Sequence, residues 1–416
     1  MLTRKWTRVI LTVVLVVVLV KVCTKMRAKK EERDFSELDL HLSALVRGRS
    51  GAKKRIPPDS NHTREDNIKG SLSDGKHLNG SNLIQDSWRS RKFVNPDDPK
   101  VIDPEVEATL WMEITNHSAP QIEEMRALAY KSWTANRDGV LKFRQQLEEY
   151  KASVMNTILT QNNTKPGQQV RYSLNRDALA NITSEIFDFL PKESPFSKVR
   201  FPKCSVVGGS GILVNSKCGE SIDGADFIFR CNLPDLKGFE MDVGRKSNLT
   251  TLNTISIIAK RYNFMQTMSD SKKFIRKLQG FHGYLWMPLF GLKSGLSYSM
   301  RVARLVHLSK DIPNLKLIIG NPEHFVAVQD FWRTKFLSTR ISTGLYVVTL
   351  ALSLCDETNL YGFWPFSRDL NLRPLKYHYY DDLDGPLSVH SLTEEFSTML
   401  KMHKDGLLRM HLDQCT

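Results

Sequence analysis

Two histidines, His378 and His390, fall within 13 residues, and Glu395 follows five positions after the second. Imidazole titrates near neutrality, so such a pair suits acid–base chemistry. The flanking run YHYYDDLDG, residues 377–385, adds aromatic faces for a nucleotide base or a sugar. A lone histidine is more often structural; two after one predicted strand argue more strongly for chemistry. Ser342 and Thr343 precede an apolar run that starts at Gly344. They are good helix caps, and the N–H groups of a helix start bind anions. Simple capping of a buried helix accounts for the same residues. CSVVGGSG, residues 204–211, reads as a strand entering a glycine turn whose backbone can approach a ligand. It does not spell the GxGxxG of dinucleotide folds, and a tight structural turn explains it equally well.

The elements that must position these residues are legible from about residue 170. Strand-like runs occupy 204–209, 226–232, 249–253, 283–290, 315–322 and 359–366. Helical stretches intervene, notably Ser269 to Leu278 and Gly344 to Leu354. This alternation predicts an α/β fold, a mostly parallel central sheet flanked by helices, whose ligands bind at the carboxyl ends of the strands. Gly208, Asn232 and Asn253 stand at three such ends. Residues 104–160 carry loosely amphipathic helical spacing, and QNNTKPG at 161–167 is a turn.

The N-terminal quarter differs in composition. Val9 to Val20 is an uncharged apolar run, flanked by Trp6, Arg8 and Lys21. With snorkelling flanks it makes a short transmembrane anchor, and no small-x-small cleavage site follows it. Residues 26 to about 100 are polar and charged and read as an extended or disordered stem. The expected organisation is a cytosolic tail (1–8), a signal-anchor (9–25), a luminal stem with a helical C-terminal part (26–140) and a catalytic domain (141–416). The net charge of +14 would suit nucleic acid, a membrane surface or anionic substrates. No zinc-finger spacing, RNA-binding signature or basic zipper accompanies it, so no nucleic-acid partner is expected. Six glycosylation sequons follow the span, at Asn61, Asn79, Asn116, Asn162, Asn181 and Asn248. Five cysteines also follow it, enough for two disulfides and one thiol, with the pairing undetermined by spacing.

Taken together, these segments resemble the animal sialyltransferases over about residues 165–416, and within them the α2,8-linking branch. The large sialyl motif corresponds to Cys204 through Asn253, with RCNLP and DVGRKSNLTTLN. The small motif corresponds to Arg340 through Phe366, the third motif to HYYD at 378–381, and the very small motif to His390 with Glu395. The resemblance implies a variant GT-A-like, Rossmann-type domain. It implies His390 as the general base and His378 as the partner of the departing phosphate. Ser342, Thr343 and Gly344 would hold the sialyl carboxylate of the donor. Gly209, Ser210, Asn232, Asn253, Trp364 and Tyr377 would complete the CMP-sialic acid site. The implied disulfides are Cys204–Cys355 and Cys218–Cys415, leaving Cys231 reduced. Basic residues flank both sides of the apolar run and do not decide its orientation. Disulfides require an oxidising lumen, so the expectation is a single-pass type II protein of the Golgi membrane.

No cofactor is implied beyond the donor. Asp382-Leu383-Asp384 spells a DxD, but it lies in a polar turn rather than at a strand end, and no metal is expected. The expected partner is a sialylated glycolipid or glycoprotein. Residues 301–340 hold seven Lys and Arg against three Asp and Glu, too mild a surplus for a long polyanion, so one or a few additions are expected. Two departures stand out: Gly209 where the family carries asparagine, and Thr254 where proline usually follows. They motivate an alternative, a non-catalytic protein that binds CMP or sialic acid or organises a partner.

Overall fold

The computed structural model describes residues 119–129, 131–253, 257–335, 337, 339–381 and 390–415. The expected anchor, the expected stem as far as residue 118, the sequons at Asn61, Asn79 and Asn116, Thr254, and the DxD at 382–384 lie outside these residues. No helix among the described residues is long and apolar enough to cross a membrane.

Among the described residues nine strands occur in chain order. A hairpin comes first, from β1 (Gln169–Arg171) and β2 (Leu179–Asn181). Then follow β3 (Phe201–Val207), β4 (Phe227–Arg230), β5 (Leu249–Thr251), β6 (Gly283–Met287), β7 (Leu315–Ile319), β8 (Cys355–Tyr361) and β9 (Arg409–His411). The last seven form one all-parallel sheet in the order β7-β6-β5-β4-β3-β8-β9. Every residue of β4 and β5 is buried, as expected where helices cover both faces of a parallel sheet. From β3 the chain winds outward to β7 and then returns to the far side of β3 as β8. The β3–β8 junction is therefore the topological switch point, where a crevice opens at the strand ends.

Five predicted strands coincide with observed ones. The sixth is corrected. Sequence placed it at 359–366, whereas β8 starts at Cys355, directly from the preceding helix, and ends at Tyr361. Gly362, at φ +70°, turns the chain away, so GFWPF leaves the sheet and enters the crevice. β9 escaped the sequence reading, because three residues carry too short a pattern.

The helix Met268–Leu278 opens on a reciprocal cap between Thr267 and Asp270. The helix Thr343–Leu354 buries nine of its 12 residues and packs on β3 and β8. Hydrophobic on nearly every side, it can only be a core helix.

A helix crosses the position expected for the domain boundary, 140/141. The helix Arg137–Glu149 runs through it and buries Val140, Phe143 and Leu147. Arg144 donates from Nε to the Leu352 carbonyl at 2.8 Å, closing the end of the core helix. Farther upstream, the helix Ala119–Ala129 buries Met125, and Arg126 donates to the Leu370 carbonyl. The folded unit thus includes both helices. Amphipathic spacing alone did not separate them from the stem.

Both implied disulfides are formed, Cys204–Cys355 and Cys218–Cys415, and Cys231 is a free thiol. Asn162 and Asn181 are exposed. Asn248 is not: it is half-buried, and its Oδ1 accepts from the Ile228 N–H at 2.9 Å. That Oδ1 bond links the asparagine to β4.

Candidate active site

A cavity of about 280 Å³ opens at the switch point, within reach of a small-molecule site. Every candidate catalytic and donor residue lines it, as does Glu395. Chain positions from Gly209 to Glu395 converge there because four strand ends and two helix starts meet at the same edge of the sheet.

Two glycines set its floor. A Cβ at Gly208 would lie 2.3 Å from the Gly362 carbonyl oxygen, so the ends of β3 and β8 approach more closely than any side chain permits. A Cβ at Gly209 would lie 2.9 Å from Cδ2 of His378. The Tyr379 N–H donates to the Gly209 carbonyl at 2.9 Å, and Ser210 bridges His378 as an isolated antiparallel pair. The glycine turn therefore carries the histidine segment on its backbone, and the His378 ring rests where the family's asparagine would begin. None of the buried polar atoms left without a partner among the described residues belongs to this cavity's lining. Replacing the asparagine by Gly209 leaves no orphaned group there.

His378 is further fixed by Asp381, whose Oδ1 lies 2.9 Å from its Nδ1. Tyr380 stacks on the ring at 4.9 Å, and Arg261 pairs with Asp381 while lying 4.8 Å over Tyr380. A carboxylate on Nδ1 keeps that nitrogen protonated and orients the ring. The sequence reading missed Arg261 and did not use Asp381 or Tyr380. Asp381 was findable, since it belongs to HYYD, three residues past the histidine. Nothing local marks Arg261, which arrives from 120 residues upstream.

His390 lines the same cavity. Its Nδ1 donates to the Arg340 carbonyl at 2.8 Å. The proton is thereby placed on Nδ1, and Nε2 is left as the basic nitrogen. Burial pushes the ring's pKa down to about 4, partly offset by that hydrogen bond. The free enzyme thus holds a neutral imidazole, ready to accept a proton at neutral pH.

Between the histidines lies the start of the core helix. The Ser342 side chain caps it, accepting from the Leu345 N–H at 3.1 Å. Glu395, itself buried, receives the Ser342 N–H and meets its hydroxyl, each at 2.5 Å. These contacts occupy the N–H groups of residues 342 and 345. The N–H groups of Thr343 and Gly344 remain for an incoming anion. A Cβ at Gly344 would press to 3.1 Å from the Phe363 ring, a tight contact where the two segments cross.

Asn232 takes a left-handed conformation, φ +61°, which asparagine tolerates better than most residues. Its Oδ1 accepts from the Asn253 N–H at 3.2 Å, which leaves the amide N–H₂ for a ligand acceptor. Trp364 is buried against Phe366 and Phe396, and its indole donates to the Arg368 carbonyl at 2.8 Å, so it offers a ring and no free donor. Tyr377 lies against His378, and burial pushes its phenol up to about 12.

The site thus offers a neutral base, an oriented second imidazole, a helix start for an anion and aromatic walls. That inventory suits transfer of an anionic sugar from an anionic donor. Comparison with known proteins agrees. The profile of glycosyltransferase family 29 (sialyltransferase) matches residues 158–407. The α-N-acetylneuraminide α-2,8-sialyltransferase of Xenopus tropicalis is 39% identical over 286 residues, covering 68% of this chain and 81% of that protein. The Bos taurus protein of the same name is 37% identical over 287 residues, covering 68% and 79%. Among solved structures, a mammalian sialyltransferase matches with TM-score 0.43 and 23% identity, over 62% of this chain and 91% of that one. Another, bound to Gal-beta-1-3GalNAc-ortho-nitrophenol, matches with TM-score 0.41 and 20% identity, over 69% and 92%. With the site and the matched span in agreement, the chain belongs to the sialyltransferases of glycosyltransferase family 29.

Proposed function

We propose that this enzyme transfers sialic acid from CMP-sialic acid to the terminal sialic acid of a ganglioside or glycoprotein glycan, forming an α2,8 linkage. The observation that carries the mechanism is the bond from His390 Nδ1 to the Arg340 carbonyl, which makes Nε2 the base. As the acceptor oxygen attacks the anomeric carbon, its proton passes to Nε2 of His390. The bond to the phosphate oxygen breaks, its electron pair leaves with CMP, and configuration inverts. His378, oriented by Asp381, meets the departing phosphate. The free N–H groups of Thr343 and Gly344 hold the sialyl carboxylate, and Asn232, Trp364 and Tyr377 hold the nucleotide. A monophosphate leaving group needs less charge neutralisation than a diphosphate, and fixed N–H groups with a histidine supply it without a metal.

The names of the similar proteins support the α2,8 linkage. The mild basic surplus of 301–340 supports one or a few additions rather than a long polymer. The doubly wound sheet is compatible with a variant GT-A-like domain. Two disulfides support a luminal location, with residues 9–25 as the type II anchor in the Golgi membrane. Against the non-catalytic alternative, motivated by the donor-contacting amide that Gly209 lacks, stand the sialyltransferase names of the similar proteins.

The test incubates the purified full-length protein with CMP-sialic acid and paired sialylated and desialylated acceptors, with and without EDTA, and reads products by mass spectrometry. Transfer only to sialylated acceptors, unchanged by EDTA and lost in His390→Ala, is expected. Transfer to desialylated acceptors alone would refute the acceptor assignment. A folded protein that binds CMP and transfers nothing would establish the non-catalytic alternative.

A further inference from the structure

Arg261 lines the active-site cavity but lies outside all four motifs, between Asn253 at the end of the large one and Arg340 at the start of the small one. It reaches His378 by two routes. Its Nη2 pairs with Oδ2 of Asp381, while Oδ1 of the same carboxylate lies 2.9 Å from His378 Nδ1. Its guanidinium carbon lies 4.8 Å from the centre of the Tyr380 ring, and that ring stacks on His378 at 4.9 Å with 9° between the planes. A carboxylate held at one oxygen can still turn about its last bond. Held at both, it presents Oδ1 to the imidazole in one orientation. The pair is sheltered, with the two side chains 17% and 19% exposed, so solvent screens it less than a surface ion pair. Burial alone would lower the Arg261 pKa; Tyr380, Asp381 and Asp235 outweigh it and raise the value.

The backbone that delivers Arg261 is strained. The short helix Ala259–Tyr262 ends on Asn263, and Asn263, Phe264 and Met265 are all left-handed, at φ +43°, +53° and +52°. Asparagine tolerates that region, phenylalanine and methionine poorly. Tertiary contacts hold the turn. Tyr262 and Met265 are buried, Tyr262 packs edge-on against Phe274 at 5.0 Å, and Arg301 donates to the Phe264 carbonyl at 3.4 Å. Strain of this kind gathers where a side chain must be held in one place.

We propose that Arg261 is a positioning residue for the transfer reaction: it fixes Asp381 and Tyr380, and through them the His378 imidazole that meets the departing phosphate. The inference rests on the role given to His378 above and adds the group that holds it. Arg261 acts through these two neighbours, which take its charge and its planar face. Lysine is no substitute, because an ammonium is a point charge and cannot pair with Asp381 while laying a planar face on Tyr380.

The test is a double-mutant cycle on the full-length enzyme, with Arg261→Gln, Asp381→Asn and both changes together. Arg261→Gln is expected to lower kcat about tenfold, the scale of one charged hydrogen bond, with the KM for CMP-sialic acid within about twofold of wild type. The double variant is expected to stay within about threefold of Asp381→Asn alone, because both changes break one chain of contacts; independent effects would multiply to about 100-fold. Arg261→Lys is the second probe should the glutamine variant fold poorly. It keeps the charge beside Asp381 and loses the planar contact with Tyr380, so its kcat is expected between those of wild type and Arg261→Gln. Multiplicative losses, wild-type kcat in the folded variants, or a donor KM that rises as kcat falls, the mark of direct contact with the donor, would each overturn the proposal. A wild-type enzyme that transfers nothing would instead overturn the function on which it rests, a distinct result.

Discussion

Glu395 holds Ser342 at two points 53 residues away in sequence, its Oε1 on the backbone N–H and its Oε2 on the hydroxyl. The same hydroxyl caps the Leu345 N–H, so one carboxyl sets the first turn of the helix that would receive the donor. Glu395→Ala removes both contacts and leaves a sheltered N–H unpaired, costing about 1–3 kcal/mol. The expected result is a donor KM raised about tenfold or more with a smaller change in kcat, while Glu395→Gln, which keeps an acceptor on the N–H, retains most of the affinity. Steady-state kinetics with CMP-sialic acid as the varied substrate checks it.

Burial pushes the Glu395 carboxyl up to about 7, against the pull of the Ser342 hydrogen bonds. A raised carboxyl pKa means that the folded protein binds a proton the unfolded chain has released. This contribution to stability is fully present below about 4.5 and is lost as pH rises through about 7. Denaturation of wild type and Glu395→Gln between pH 5 and 8 is expected to show wild type losing stability relative to the variant as pH increases. Parallel curves would reject the assignment.

The His390 pKa is displaced the other way, down to about 4. Its contribution to stability is present above about 6.5 and is lost as pH falls through about 4. The free enzyme's base stays neutral at every pH above that value. The acid limb of kcat/KM attributable to His390 is therefore expected near pH 4 rather than near 6.5. His390→Ala is expected to lower kcat by roughly 10²–10⁴-fold with little change in CMP binding.

Asp381 lies 2.9 Å from His378 Nδ1 and also pairs with Arg261. Asp381→Asn removes the charge that keeps this nitrogen protonated and frees the arginine. A fall in kcat of about tenfold or more is expected, a loss of transition-state stabilisation worth at least about 1.4 kcal/mol. A donor with a better leaving group is expected to recover part of it, since His378 acts on the departing phosphate. A Tm loss without this leaving-group dependence would indicate a purely structural role.

The Cys218–Cys415 disulfide closes 197 residues and ties the last turn of the chain to the segment after the glycine turn. Cys415→Ser is expected to cost about 2–5 kcal/mol of stability. Chemical denaturation of the full-length protein with and without reductant measures it, and the variant is expected to become insensitive to reduction of that bond.

Much of this protein was legible in its sequence because the informative patterns are local. Alternating β-rich and helical stretches specify a parallel sheet, and buried strands are continuous apolar runs. The helix start at Ser342-Thr343 and the turn at Gly208-Gly209 announce themselves through residues that few other conformations favour. The twelve site residues came from motif resemblance, and they meet in one cavity because those motifs occupy strand ends and helix starts on the same edge of the sheet. Where patterns were short or interrupted the reading slipped: β9 has three residues, and β8 begins without a turn straight out of a helix.

Sequence by itself determined the class of fold, through patterns of residue type and near neighbours, and resemblance of its motifs supplied the disulfide pairs and the residues that gather at the switch point. Only the tertiary structure decided how those residues act on one another. It placed the His378 ring against Gly209, closer than a Cβ there would allow without a shift. It brought Arg261 to Asp381 across 120 residues and Glu395 to Ser342 across 53. Hydrogen bonds and ion pairs act over a few ångströms, and proximity between distant segments follows from sheet order and helix packing rather than from spacing along the chain.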